Sequence, residues 1–257
     1  MRLFKLLLAA AALSVAASGA VQAKEWKTVR IGTEGAYPPF NSVTSDGKLV
    51  GFDVDIAKAL CAKMQVECTF VTQDWDGIIP ALLAGKYDAI IASMSITEER
   101  KKKVDFTGKY YLTPPGLVAP TSSALASTTP DALKGKTIGA QSSTTHATYL
   151  EDVYKGATIK LYPTQDEANL DLVNGRLDAV MADSVVLGEW LKTKDGGCCK
   201  MVGAVKNDPK YFGDGAGIAL RKEDQDLKAM FDKAIKEIVA DGTYKTVNDK
   251  YFNFSVY

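Results

Sequence analysis

The sequence predicts an α/β protein of two similar lobes, each a mixed β-sheet assembled from βαβ units and flanked by helices. Two observations carry this. Gly85-Lys86-Tyr87-Asp88-Ala89-Ile90-Ile91-Ala92-Ser93 recurs ninety residues on as Gly175-Arg176-Leu177-Asp178-Ala179-Val180-Met181-Ala182-Asp183, and strands and helices precede the two copies in the same order. A short apolar run behind a turn glycine reads as a buried parallel strand, and in open α/β sheets ligands bind beyond the carboxyl ends of such strands. Ser93 and Asp183, which end the two runs, then face one another across a cleft between the lobes.

The first strand is Thr28 to Thr33, broken by the glycine and two prolines of Glu34-Gly35-Ala36-Tyr37-Pro38-Pro39, so Glu34 and Tyr37 sit on a loop beyond a strand end. Ser45-Asp46-Gly47-Lys48 is a turn. Val50-Gly51-Phe52-Asp53 opens the helix Val54 to Met64, and the strand Glu67 to Val71 completes a βαβ unit. Trp75 starts a short helix, Asp76 to Ala84, that leads into the first repeat. Thr97 to Lys103 is another short helix, and Pro114-Pro115-Gly116, after the Tyr110-Tyr111 strand, marks the crossing into lobe two. A Ser/Thr/Pro-rich stretch, Thr121 to Pro130, precedes strand Thr137 to Ala140, helix Thr145 to Tyr154, strand Thr158 to Tyr162, helix Gln165 to Asn174 and the second repeat. Even the first strands correspond, Ile31-Gly32-Thr33-Glu34 with Ile138-Gly139-Ala140-Gln141. After a loop around Pro209 and Gly213, Gly217 to Arg221 is a strand. Asp224 to Ala240 is an amphipathic helix with Leu227, Phe231, Ile235 and Ile238 on one face. Tyr244 to Tyr251 is a last short helix, and this tail is expected to pack on lobe one.

Residues 1–23 read as a signal peptide. Arg2 and Lys5 precede an apolar run from Leu6 to Val15, and Val21-Gln22-Ala23 offers a cleavage site. The run is shorter than the roughly 20 residues of a membrane span, so a soluble protein exported to the periplasm is expected. Without Arg2 and Lys5 the 31 basic residues become 29 against 31 acidic ones, which leaves no footprint for nucleic acid. The remaining 234 residues suit two domains of ordinary size. In an oxidising compartment Cys61 and Cys68, a helix end and the next strand start, are expected to form a disulfide. Cys198 and Cys199 are adjacent in a surface loop, where a bond between neighbours would be strained, and their state stays open. His146 is the single histidine, so no spaced Cys/His set exists, and neither a metal nor any other cofactor is expected.

Four clusters beyond strand ends can carry chemistry. In Ser93-Met94-Ser95-Ile96-Thr97-Glu98-Glu99-Arg100 the guanidinium of Arg100 offers a planar fork that fits a carboxylate. The same octapeptide also reads as a helix start capped by Ser95 or Thr97, with Glu98 completing a capping box and Arg100 solvated. Gln141-Ser142-Ser143-Thr144-Thr145 is a strand-to-helix turn whose free amides suit an anion or simply a capped helix; His146, one residue further, reads as a surface or packing residue. Asp183, at the end of an apolar strand, needs a partner, either an ammonium or the helix that begins at Ser184. Glu34 with Tyr37 and Trp75, a carboxylate beside two aromatics, suits a long cationic side chain, although Trp75 also reads as core packing.

Read with Gly213-Asp214-Gly215, Ala219-Leu220-Arg221-Lys222-Glu223-Asp224 and Ala240-Asp241-Gly242-Thr243-Tyr244, these segments resemble the solute-binding proteins of bacterial ABC importers for polar amino acids, over essentially all of Lys24 to Tyr257. Through Gly51-Phe52-Asp53, Ser93 to Arg100 and Cys61 with Cys68, the likeness is greatest to the lysine/arginine/ornithine, histidine and arginine receptors. The resemblance implies the type II periplasmic binding protein fold. Lobe one would be 24–112 plus 214–257 and lobe two 113–213, joined by a two-strand hinge. It implies that Arg100, Ser95 and Thr144 hold a ligand α-carboxylate, with Met94, Gln141 and Ser143 alongside, and that Asp183, Ser93 and Ser95 hold the α-ammonium. Tyr37 and Trp75 would sandwich the side-chain stem and Glu34 would meet the distal cation. Close relatives carry aspartate where this chain has Glu34, serine where it has Ala92 and leucine where it has Ala140. Glu34-Gly35 and Trp75-Asp76-Gly77 also resemble opine receptors, against which Ser95 argues.

The expected function is therefore a monomeric receptor, with no catalytic role, that closes on arginine, lysine, ornithine or histidine and delivers it to an ABC permease. Opine binding is the alternative. A periplasmic cyclohexadienyl dehydratase-like enzyme on the same scaffold, with Glu34 or Asp183 as general acid, is the less favoured one.

Overall fold

The computed structural model describes residues 25–257; the expected signal peptide lies outside them. The chain begins with β1 (Thr28–Thr33), a small antiparallel sheet of β2 (Ala36–Tyr37), β3 (Asn41–Val43) and β4 (Leu49–Val50), then α1 (Phe52–Met64) and β5 (Glu67–Thr72). A 3₁₀ turn at Trp75–Gly77 leads into α2 (Ile78–Leu83), followed by β6 (Ala89–Ile90), α3 (Glu98–Lys101) and β7 (Asp105–Tyr111). The chain then crosses to β8 (Pro115–Pro120), β9 (Thr137–Gln141), α4 (Thr145–Val153), β10 (Thr158–Tyr162), α5 (Gln165–Val173), β11 (Ala179–Asp183), α6 (Ser184–Trp190) and β12 (Cys199–Ala204). It returns through α7 (Pro209–Phe212) to β13 (Ala216–Leu220), α8 (Gln225–Ala240) and α9 (Thr243–Tyr251).

Two five-stranded mixed sheets result, ordered β5-β1-β6-β13-β7 and β10-β9-β11-β8-β12. In each, four strands run in one direction and one, β13 in the first sheet and β8 in the second, runs against them; each reversed strand is where the chain enters that sheet after crossing between the lobes. The tail packs on lobe one, where Leu227, Phe231, Ile235, Ile238 and Tyr244 share a core with Phe52, Ile56 and Leu60 of α1. Phe52 is fully buried and meets Phe40, Tyr111 and Tyr244 edge-on at 5.9–6.0 Å between ring centroids. Gly51 before it has φ 129°, and a Cβ there would lie 2.2 Å from the Phe40 carbonyl oxygen, so only glycine admits this approach.

The repeat has a physical cause visible in both sheets. β6 pairs with β1 through Ile31–Ala89 and Gly32–Ile90, and β11 pairs with β9 through Ile138–Ala179 and Gly139–Val180. Gly32 leaves room for the Tyr87 ring, and Gly139 for the Leu177 side chain; a Cβ would come within 2.5 Å and 2.4 Å of them. Asp88 then accepts the amide of Arg30 at 3.0 Å, as Asp178 accepts that of Thr137 at 2.8 Å. Glycine, large apolar residue and aspartate thus recur because each copy docks its strand, through two paired positions, on β1 or on β9.

The structure revises several elements. The first repeat holds only two strand residues, and the helix expected from Thr97 to Lys103 shrinks to Glu98–Lys101. The β2–β4 sheet and β12 lack the alternation or β-branching that would have marked them. Cys61 and Cys68 are disulfide-bonded, with Cα atoms 6.1 Å apart. Cys198 and Cys199 are joined as a vicinal pair, and Cys199 is buried at the start of β12 rather than in a surface loop.

The two repeat aspartates differ in burial. The Asp88 side chain is 6% exposed and holds Arg30 and Arg221, whereas that of Asp178 is 41% exposed beside Lys136. Asp88→Ala is expected to cost on the order of 3 kcal/mol, because it strands buried charge, and Asp178→Ala about 1 kcal/mol or less. Urea unfolding of the two variants checks this; equal losses would contradict the role of burial.

Candidate functional site

The parallel strands of both sheets end at the same cleft, and the residues that follow them meet there. At one end is Arg100. Thr97 caps α3 by accepting the Arg100 amide at 3.2 Å, which fixes the residue one turn in. Its guanidinium donates to the carbonyls of Ser95 (3.0 Å) and Ser143 (3.4 Å) and lies 5.3 Å from the Trp75 ring centroid. Among the described residues no carboxylate pairs with it. Burial lowers its pKa to about 10, which still leaves it charged at neutral pH. Beside it α4 begins, with Thr144 as cap: its hydroxyl accepts from Ala147 N at 3.1 Å and donates to Gln141 O at 2.7 Å. Both capping alternatives in the sequence are thus real, by Thr97 and Thr144, and neither removes Arg100 from the cleft.

The other end collects acceptors. Asp183, 8% exposed, caps α6 through Val185 N at 2.8 Å, and its second oxygen takes the Thr113 hydroxyl. Burial pushes its pKa up to about 6 against those two bonds. Tyr37 OH accepts the Asp183 amide at 3.2 Å, from the opposite lobe. Ser93 sits close by with φ 55°; it and Ser143, at φ 56°, are two of three non-glycine residues with positive φ among those described. Such backbone is uncommon for serine and concentrates at functional sites.

A third acid lies at the mouth. Glu34 accepts from Gln141 Nε2 at 2.5 Å, so the equivalent residues of the two lobes touch. Burial raises Glu34 to about 7, with Asp166, Asp74 and Asp76 pushing the same way. Ser142 Oγ donates to Asp76 at 2.9 Å, and Trp75 Nε1 to Ser143 O at 3.2 Å, completing a seam between the lobes.

Two small cavities remain in the cleft. One is lined by Tyr37, Ser93, Ser95, Thr113, His146 and Asp183, the other by Glu34, Tyr37, Trp75, Ser93, Ser95, Arg100, Gln141 and Thr144. A groove of about 570 Å³ opens on the outer side of Arg100 and Trp75. Nine of the eleven residues singled out from sequence therefore line the two cavities. The other two do not. Met94 is fully buried in the core beneath α2, and Ser143 contributes its carbonyl to the seam while the residue itself is exposed. His146 packs on Phe212 at 5.6 Å, as expected of a packing residue, and also lines both cavities, where burial and then the Arg100 charge hold its pKa down to about 3. Asp53, Asp76 and Thr113 were missed as site residues.

This geometry agrees with what comparison finds. The model of the bacterial extracellular solute-binding proteins, family 3, matches residues 29–254. The chain belongs to that family. An L-arginine-binding protein of Pseudomonas aeruginosa is 50% identical over 98% of this chain and 97% of its own. The lysine/arginine/ornithine-binding periplasmic protein of Escherichia coli is 43% identical over 95% of this chain and 94% of its own. An ancestral arginine-binding protein bound to arginine superposes with a TM-score of 0.82 at 39% identity, over 88% of this chain and 99% of its own. These family 3 relatives are binding proteins. The two-lobed fold also occurs in an ancestral amino-acid-binding protein that preceded cyclohexadienyl dehydratase (TM-score 0.78, 32% identity, 88% of this chain and 96% of that one). No helix of the described residues is long and apolar enough to cross a membrane, and no group of His, Cys, Asp or Glu among them is arranged to hold a metal.

The Glu34 environment has a consequence for stability. Its pKa rises from 4.5 unfolded to about 7 folded, so between those values the folded protein holds a proton that the unfolded chain has released. That contribution is present at low pH and lost as pH rises through 7. In the ligand-stripped protein, Glu34→Gln is expected to raise the thermal midpoint at pH 8 and to change it little at pH 5. A midpoint gain independent of pH would remove the ionisation as its cause.

Proposed function

We propose that the protein is a periplasmic receptor that closes on a basic L-amino acid and delivers it to an ABC permease. The observation that carries the reading is Arg100, a half-buried guanidinium with only neutral partners, opposite a cleft end where Asp183 and Ser93 accept. A molecule with a carboxylate at one end and an ammonium at the other answers both, and an isolated charge in such a setting is costly until it is answered. Arg100, Ser95 and the amides at the start of α4 hold the α-carboxylate. The hydroxyl of Thr144 is already committed to Gln141, so its share falls to the backbone. Asp183 and Ser93 take the α-ammonium, Tyr37 and Trp75 flank the stem, and Glu34, turned from Gln141, meets a distal cation. Arginine is the favoured ligand, supported by the 50% identical arginine-binding relative.

The lobes in this reading are 24–112 with 214–257, and 113–213, so ligand contacts from both sides favour the closed state. The targeting pattern and the periplasmic relatives support a periplasmic location, and an ABC permease is the partner this reading expects. Binding is favoured over catalysis with Asp183 as the acid: both its oxygens are engaged by Val185 and Thr113, which suits an acceptor rather than a proton donor.

A thermal-shift screen of the ligand-stripped protein with all L-amino acids, ornithine, citrulline and opines tests the reading, because a ligand selective for the folded state raises the midpoint by mass action. Arginine, lysine, ornithine or histidine is expected to give the largest shift; a shift with opines alone would reassign the ligand class. Arg100→Ala is expected to weaken the affinity by about 3 kcal/mol or more, over 100-fold, and calorimetry showing near wild-type affinity would remove its carboxylate role. Affinity for a cationic side chain is expected to fall as pH drops below about 7, where Glu34 takes up its proton, and Glu34→Gln is expected to flatten that dependence.

A further inference from the structure

We propose that Asp53 is a positioning residue that makes the Ser93 hydroxyl an obligate acceptor and so sets the direction in which the ligand lies in the cleft. The proposal rests on the amino-acid reading above.

Asp53 is wholly buried in the first turn of α1, behind the cleft wall rather than in it. Three donors converge on its carboxylate. Asn41 Nδ2 and Ser93 Oγ reach Oδ2 at 2.9 and 3.0 Å, and Tyr110 OH reaches Oδ1 at 2.7 Å. Asn41 in turn accepts the Gly35 amide at 2.8 Å, beside Glu34 and Tyr37. Tyr110 OH also accepts the Ser93 amide at 3.1 Å, so the side chain and the backbone of Ser93 are both tied to Asp53. This double tether holds Ser93 at its φ of 55°, against the cost of the left-handed region for a residue with a Cβ.

The consequence is chemical. A serine hydroxyl has one proton; here Asp53 takes it, so only lone pairs of Oγ remain for a ligand. Ser93 can then receive a hydrogen bond from an ammonium and cannot give one to a carboxylate. Asp183 lines one cavity and Arg100 the other, while Tyr37 and Ser93 stand between them and line both. Acceptors at one end and an unneutralised guanidinium at the other leave a single favourable orientation for a zwitterion. Burial lifts Asp53 to about 6, opposed by the Tyr110, Asn41 and Ser93 bonds, so it is ionised at neutral pH and takes the proton without sharing one of its own.

The test is a double-mutant cycle read by calorimetry with L-arginine, or with the amino acid giving the largest thermal shift in wild type. Asp53→Asn keeps the volume but its amide competes as a donor, and it is expected to lose at least tenfold in affinity, as is Ser93→Ala. If Asp53 acts through Ser93, the double variant binds within about threefold of the weaker single variant; losses that multiply would show a general structural role and overturn the proposal. Should Asp53→Asn fail to fold, Ser93→Ala decides alone, and affinity within twofold of wild type would overturn it. A wild-type protein that binds no amino acid would overturn the proposed function and this inference with it, whereas tight wild-type binding with a multiplicative cycle sinks the inference alone.

Discussion

The structure turns on one half-buried guanidinium held without an acid. Holding Arg100 in place takes the Thr97 cap, the Ser95 carbonyl, the Trp75 face and, from the other lobe, the Ser143 carbonyl. All four are neutral, so they orient the charge without cancelling it. The buried acids lie elsewhere: Asp183 and Asp53 around the opposite cavity, Glu34 at the mouth. The cleft is thus polarised along its length. Each charge raises the cost of leaving its end unanswered, and a ligand that answers all of them is selected against one that answers some.

The internal repeat explains how such a cleft is built from two ordinary sheets. The glycine, the bulky apolar residue and the aspartate recur because they dock one strand on another, and they do the same work in both lobes. Divergence is confined to the tips. Where one copy ends in Ser93 the other ends in Asp183, and where one first strand leads into Glu34 the other ends in Gln141. These equivalent tips meet across the cleft, Glu34 with Gln141 directly. A pseudo-symmetric frame therefore brings chemically different residues to corresponding places, which is what an asymmetric ligand requires.

That division also explains what sequence alone reveals. Local patterns mark the strands, the repeat and Arg100, since a turn glycine, an apolar run and a capped helix are properties of neighbours. Asp53 was legible only as part of a helix start, because its meaning comes from Tyr110, Asn41 and Ser93, separated from it by 57, 12 and 40 positions. His146 was passed over for a similar reason: one turn-end residue on a helix has no local signal that the cleft lies on its side. Met94 erred the other way. It lies within the cluster that supplies the site, yet its side chain is fully buried in the core beside Trp75 and Ile78 while Ser93 and Ser95 line the cleft.

The distribution of charge between the lobes orders the binding events. Glu34, Asp76 and Arg100 all belong to the lobe of β1, and their partners across the seam are the Gln141 amide, the Ser142 hydroxyl and the Ser143 carbonyl, each neutral. Asp53, behind Ser93, is on the same side. An open receptor therefore already displays on one lobe the cation for a carboxylate and the acid for a distal cation, and long-range attraction acts from that lobe first. The second lobe brings neutral hydrogen-bonding groups and a single buried acid, Asp183. In the proposed binding mode ligand charge is read before closure, and closure adds the α-ammonium contact and removes water from interactions already formed. Since only the difference in ligand affinity between open and closed forms shifts their populations, the proposed mode makes Asp183, on the closing lobe, the group through which an ammonium-bearing ligand would favour the closed receptor.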